Sequence, residues 1–207
     1  MTTPSPLGPG SLPAFSVSEA ELAGLAERLA HRAEDEALLE VAYRILESPV
    51  GRLLLAATER GLVRVAFERE GFDEVLSGLA QRLGPRILHA PWKLDAAAAE
   101  LEEYFAGRRR QFGVPLDFAL SHGFRRAVQQ RLPEIGYGRT MSYRQVAELL
   151  DRPGAVRAVG TACATNPLPV VVPCHRVLRS DGGLGGYLGG LEAKETLLGL
   201  ENRAVAA

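Results

Sequence analysis

Between Arg157 and Tyr187 the chain reads RAVGTACATNPLPVVVPCHRVLRSDGGLGGY, and this stretch restricts the backbone more than any other. Prolines interrupt it at 167, 169 and 173, and the run Asp181-Gly182-Gly183-Leu184-Gly185-Gly186-Tyr187 can fold only as turns and close backbone approaches. The apolar run Val170-Val171-Val172, stopped by Pro173, predicts a short buried strand that ends abruptly and delivers Cys174 to an edge. A chain built around such a segment must set other elements against it.

The same segment carries a chemical signal. Cys174 stands beside His175, and a cysteine attacks as its thiolate, which a neighbouring imidazole or an electropositive setting brings within reach of neutral pH. The competing reading makes Cys174 a buried small hydrophobe and His175 its satisfied polar neighbour.

Arg157-Ala158-Val159-Gly160, Asn166-Pro167, Pro173-Cys174-His175-Arg176-Val177, Gly185-Gly186-Tyr187, Lys194 and Glu201 together form a pattern. It resembles that of the O6-alkylguanine-DNA alkyltransferase family, over roughly residues 40 to 202. The resemblance implies transfer of an alkyl group from O6-alkylguanine, and also O4-alkylthymine, in duplex DNA to Cys174. No cofactor or metal takes part. His175 takes the thiol proton through a water, Glu201 orients His175, and Asn166 braces the loop. Tyr143 offers a proton to the leaving guanine, and Lys194 favours the thiolate. The sulfur then lies exposed at the floor of a guanine-sized slot. Val177, Tyr187, Leu188 and Gly189 wall that slot, and Leu188 stands where some members have a small polar residue, which bears on large adducts. Because the product is a thioether that water does not release, the protein reacts once.

Composition sets the outer bounds. The formal net charge is −1, so nothing global advertises a polyanion. From Phe124 to Arg179, however, nine arginines face only Glu134, Glu148 and Asp151, a local excess of six positive charges. That suits a phosphate backbone; an Arg-rich solvated face is the alternative. Two cysteines eleven residues apart and four scattered histidines give neither metal-ligand spacing nor a disulfide framework. A working thiol fits a reducing, cytoplasmic compartment. No apolar run reaches membrane-spanning length, and the Pro-rich start lacks the marks of a signal peptide. The resemblance further implies a monomer.

In chain order, residues 1–40 form an extension outside the resemblance. Residues 1–15 are rich in Pro, Gly and Ser and predict a mobile segment. Ser18 and Glu21 then make a capping box for a helix with Leu22, Leu25, Ala26 and Leu29 on one face, which predicts docking onto the rest of the chain. Residues 41–112 predict a small α+β scaffold: a three-stranded antiparallel meander, with Val41, Tyr43 and Ile45, then Leu53 and Leu55, then Val63, Val65 and Phe67 alternating. Helices follow at Phe72 to Leu83 and at Asp95 to Phe105, the second capped by Asp95. The resemblance makes this unit ribonuclease H-like. Residues 113–207 predict a helical winged-helix or helix-turn-helix domain, an α+β fold overall.

Within that second unit, the helices Tyr143 to Leu150 and Ala155 to Ala164 are joined by a tight Gly-containing turn. The second helix carries Ala155, Ala158, Gly160, Thr161, Ala162, Cys163 and Ala164, all small, with Arg157 its only long polar side chain. Reading base edges in the major groove needs several long side chains. Small residues suit close approach to a minor groove, with one side chain wedged into the stack. The resemblance assigns this helix to minor-groove docking, with Arg157 filling the space of an extruded nucleotide and Tyr143 leaning on the DNA. A non-catalytic lesion-binding protein, a thioester-forming hydrolase and a helix-turn-helix regulator are the competing functions.

Overall fold

The computed structural model describes residues 18–206. The segment expected to be mobile, residues 1–15, lies outside them. Helix α1, Glu19–Asp35, begins with the expected capping box: Ser18 Oγ accepts from the Glu21 amide, and the Glu21 carboxylate accepts from the Ser18 amide at 2.9 Å. Only its C-terminal half docks. Ala30 is buried, His31 stacks on Trp92 with ring centroids 3.8 Å apart, and Glu34 accepts from the Trp92 indole at 2.7 Å. Leu22, Leu25 and Leu29 remain more than half exposed, so the expected apolar face is not the docked one.

Strands β1 (Val41–Leu46), β2 (Leu53–Thr58) and β3 (Gly61–Phe67) form the antiparallel meander. Its alternation is broken once. Ala56 pairs with Arg64 and Ala57 with Leu62, which leaves Val63 as an extra residue. This bulge turns Val63 toward helix α2 (Phe72–Leu83), while Val65 and Phe67 face the other way. The sheet has four strands, not the expected three: β4 (Ile87–His89) pairs in parallel with β1, giving the order β3-β2-β1-β4. The crossover through α2 supplies the connection that a parallel pair needs.

One face of the sheet packs Val41, Leu54, Ala56, Val63 and Ala66 against Leu79 of α2. The other packs Leu53, Leu55, Val65 and Phe67 against Leu101 and Tyr104 of helix α3 (Asp95–Phe105), in a core that continues into the second half of the chain. Asp95 does not cap α3. It is the first helical residue, and its carboxylate accepts from Arg44 at 2.7 Å instead.

The crossing segment runs along the open edge of β3. The Leu62 amide donates to the Pro115 carbonyl and the Asp117 amide to the Leu62 carbonyl, both at 2.8 Å. Gly61 is required there, because φ is +129° and a Cβ would lie 2.3 Å from the Pro115 oxygen.

Helices α4 (Gly123–Arg131), α5 (Tyr143–Leu149) and α6 (Val156–Ala164) follow. Ser142 caps α5, accepting from the Gln145 amide at 3.2 Å while its own amide donates to Gln145 Oε1 at 2.7 Å. Two-residue strands β5 (Met141–Ser142) and β6 (Val177–Leu178) pair in parallel, and helix α7 (Leu191–Ala206) closes the fold. Among the described residues no helix is long and apolar enough to cross a membrane.

Candidate active site

The valine run before Cys174 is not a strand. Residues 168–172 form turns, with the Val172 amide donating to the Leu168 carbonyl at 2.8 Å and Val170 at φ +72°. Proline on both sides denies this run a ladder, and a β-branched residue in the left-handed region is held only by surrounding contacts. Asn166 supplies several of them. Its side chain is fully buried, its Nδ2 donates to the Val172 carbonyl at 2.8 Å, and its Oδ1 accepts from the Leu168 amide at 3.1 Å. Pro173, at φ −81° and ψ 62°, is the centre of an inverse γ-turn that brings the Cys174 amide 2.8 Å from the Val172 carbonyl. Cys174–Arg176 is then one turn of 3-10 helix, so Cys174 and His175 do not alternate as strand neighbours do.

The Cys174 sulfur accepts from Asn166 Nδ2 at 3.2 Å. The residue is only 3 % exposed, which corrects the expectation of an open sulfur. Burial pushes its thiol up to about 11, against the downward pull of the Asn166 hydrogen bond and the Lys194 charge. Burial also lowers His175, against the upward pull of Glu201. The resting pair is therefore neutral thiol and neutral imidazole.

His175 is fully buried and its Nε2 lies 2.9 Å from Glu201 Oε1. A carboxylate can only accept, so Nε2 carries the proton and Nδ1 presents its lone pair. Nδ1 is buried and has no partner among the described residues. Glu201 resists protonation: burial would raise it, but hydrogen bonds from His175 and Arg176 outweigh burial and hold it at about 2. Arg176 Nε donates to both carboxylate oxygens, at 3.0 and 3.2 Å, and the Gly138 amide donates to Oε2 at 3.0 Å. Tyr104 donates to Oε1 at 2.7 Å.

Lys194 is fully buried on α7. Its ammonium donates to the Val177 carbonyl at 2.7 Å and to the Leu184 carbonyl, tying β6 to the glycine-rich loop. Tyr143 opens α5 with its ring half-buried, and a Cβ on Gly185 would come within 2.8 Å of its hydroxyl. Burial raises the Tyr143 phenol, which keeps its proton at neutral pH. Tyr187 packs edge-on against Phe67, with centroids 5.6 Å apart, and its buried hydroxyl lies near the Val170 backbone without a well-formed hydrogen bond among the described residues. Phe67 also fills the space beside Gly189, where a Cβ would meet its ring at 2.7 Å. Val177 is fully buried, and Leu188 lines a groove with Arg64, Glu70 and Thr165 that does not include Cys174.

On α6, Arg157, Ala158 and Thr161 are exposed, and Ala155 and Gly160 are half-buried. Ala162 departs from the expectation. It is fully buried, and its carbonyl accepts from Gln129 at 3.0 Å, so it belongs to the α4 contact and not to the outer face. Of the nine arginines between 124 and 179, Arg125, Arg126, Arg139, Arg144, Arg152 and Arg157 are exposed, and none of them has a carboxylate partner among the described residues. The structure thus brings Asn166, Cys174, His175, Lys194 and Glu201 together behind an exposed small-residue helix. Sequence reasoning missed Tyr104, seventy-one positions before His175, and gave no role to Arg176.

Among the described residues no group of three or more His, Cys, Asp or Glu side chains could hold a metal ion. Residues 41–118 match the family described as 6-O-methylguanine DNA methyltransferase, ribonuclease-like domain, and residues 123–203 match its DNA binding domain. The inducible methylated-DNA--protein-cysteine methyltransferase of Bacillus subtilis is 41% identical, over 72% of this chain and 84% of its own length. The methylated-DNA--protein-cysteine methyltransferase of Mycolicibacterium paratuberculosis is 39% identical, over 79% of this chain and 93% of its own. A crystal structure of Mycobacterium tuberculosis OGT in complex with DNA superposes with a TM-score of 0.70 at 36% identity, covering 79% of this chain and 94% of that one.

Proposed function

Because the chain belongs to the 6-O-methylguanine DNA methyltransferase family, we propose that it repairs DNA by moving an alkyl group from O6-alkylguanine to its own Cys174, once per molecule. O4-alkylthymine presents the same kind of O-alkyl carbon and is a second substrate. The observation that carries this reading is the buried cluster in which Asn166 bonds the Cys174 sulfur and Glu201 bonds His175 Nε2, so that the thiol and an imidazole Nδ1 with no partner among the described residues are the groups left to react.

A base inside a stacked duplex is out of reach of a buried sulfur, so the modified nucleotide rotates out, at a cost of a few kcal/mol. The exposed face of α6, Ala158 and Thr161 with Ala155 and Gly160 beside them, approaches the minor groove, and Arg157 fills the vacated space. With Cys174 only 3 % exposed, the entering base has to displace side chains, and Tyr143, near enough to feel the Cys174 charge and packed against Gly185, is the one taken to move. His175 Nδ1 takes the thiol proton through a bridging water, since the sulfur is not within hydrogen-bond reach of it, and Glu201 stabilises the imidazolium. The thiolate attacks the alkyl carbon, a carbon–sulfur bond forms as the carbon–oxygen bond breaks, and the electron pair goes to the guanine oxygen. Tyr143 gives the guanine a proton and regains one from the imidazolium through solvent. The thioether is not an activated acyl centre, so nothing returns the sulfur to use.

Residues 41–112 act as scaffold and 113–207 as the DNA-binding, alkyl-accepting unit, working as a monomer in the cytoplasm. Exposure to duplex containing O6-methylguanine should add one methyl mass to Cys174. A protein that binds this duplex yet shows no adduct by intact mass spectrometry is not a transferase, and the lesion-binding alternative then holds. Cys174→Ala should abolish transfer and keep DNA affinity.

A further inference from the structure

Among the described residues, the segment 41–112 contributes one polar atom to the cluster behind the thiol. Tyr104, on α3, is fully buried, and its hydroxyl lies 2.7 Å from Glu201 Oε1 and 3.5 Å from His175 Nε2. Since the carboxylate can only accept, the phenol proton points at Glu201, and toward His175 the hydroxyl oxygen is an acceptor at most. We propose that Tyr104 is a positioning residue of the alkyl-transfer site: its hydroxyl fixes Glu201 Oε1 and thereby sets the basicity of His175 from across the domain boundary. The inference rests on the transfer reading above.

The surroundings decide how the hydroxyl acts. Around Glu201 and His175 stand Arg176 on the 3-10 turn, Gly138 and Tyr137 on the loop before β5, Lys194 on α7, and Cys174 and Tyr187 beside the imidazole. Arg110 lies over the Tyr137 ring. Arg176 supplies charge, whereas Tyr104 supplies a neutral donor, and a donor to an anion lowers that anion's basicity. Without it the carboxylate leans harder on the Nε2–H of His175 and favours the imidazolium. Because His175 must start neutral to accept the thiol proton, its titration forms the acid limb of the rate profile.

Tyr104→Phe keeps the ring among Phe105, Phe112 and Tyr137, with centroids 5.3 to 6.0 Å away, and removes only the donor. Tyr137→Phe is the matched control: its hydroxyl is buried in the same aromatic group but has no hydrogen-bond partner among the described residues. The experiment measures the rate of Cys174 methylation by O6-methylguanine duplex from pH 5 to 9 and the His175 imidazole titration by NMR, on the full chain. In Tyr104→Phe the acid limb and the His175 titration should both move to higher pH by about half a unit, so that rates on that limb fall about threefold. DNA affinity should not change, and Tyr137→Phe should superimpose on the parent. An unmoved profile and titration in Tyr104→Phe, or equal shifts in both variants, overturns the proposal, whatever happens to thermal stability. If the parent itself never methylates, the transfer reading fails, while the His175 titration still decides whether Tyr104 sets its basicity.

Discussion

A carboxylate that accepts from Tyr104, His175, Arg176 and the Gly138 amide is committed to its charge, and the acid side of the stability curve should record that. Glu201 sits at about 2 in the folded chain against 4.5 ordinarily, so the unfolded chain binds its proton first as pH falls. Stability from this group is complete above pH 4.5 and disappears between there and pH 2, a loss of about 3 kcal/mol. His175 adds an earlier loss of the same sign: its folded pKa is lowered from 6.5, so below pH 6.5 the unfolded chain again binds the proton first. Urea unfolding followed from pH 7 to pH 2 should decline in these two stages, and Glu201→Gln should lack the second. Asn166→Ala should destabilise by about 1 to 3 kcal/mol, because it leaves the Leu168 amide buried and unpaired and the Val172 carbonyl with only the Cys174 amide. It should also raise the Cys174 thiol further and slow its reaction with iodoacetamide at pH 8.

Single elements carry contrasting roles on opposite faces, and α6 makes this testable. Ala158→Glu, on the exposed face, should leave thermal unfolding unchanged and weaken duplex binding tenfold or more, read by fluorescence anisotropy. Ala162→Leu, one turn further on and fully buried, should overpack the contact with α4 and cost about 1 to 3 kcal/mol in chemical denaturation. Smallness in the sequence could not separate these two alanines, because only the partner helix decides which one is covered. Elements with local signals were legible: the capping boxes at Ser18 and Ser142 and the bounds of α2 and α3 follow from neighbouring residues. Elements that depend on distant partners were not. Strand β4 is three residues long and exists because β1 offers an edge, and residues 168–172 look strand-like in composition yet are held as turns by Asn166. The buried cluster of Asn166, Cys174, His175, Lys194 and Glu201 was legible as a motif, but Tyr104 was not, since its partner lies ninety-seven residues away.

For the whole molecule, charge is segregated. A chain with net charge −1 places on its second half six exposed arginines that have no carboxylate partner among the described residues, so attraction to DNA is local rather than global. Duplex affinity should fall with a log–log salt slope between about −3 and −5 if most of these side chains meet phosphates. A slope near zero in a salt titration would show that they do not. The two halves are also joined along β3, whose outer edge holds the Pro115 carbonyl and Asp117 amide at Leu62, and the Pro167 carbonyl at the Val65 amide, 2.8 Å away. A sheet margin so occupied offers no free row of amides and carbonyls to a neighbouring molecule. Edge-to-edge pairing through β3 therefore has to begin with a partial parting of the two halves, which makes resistance to clumping at that margin a property of the junction and not of the surface.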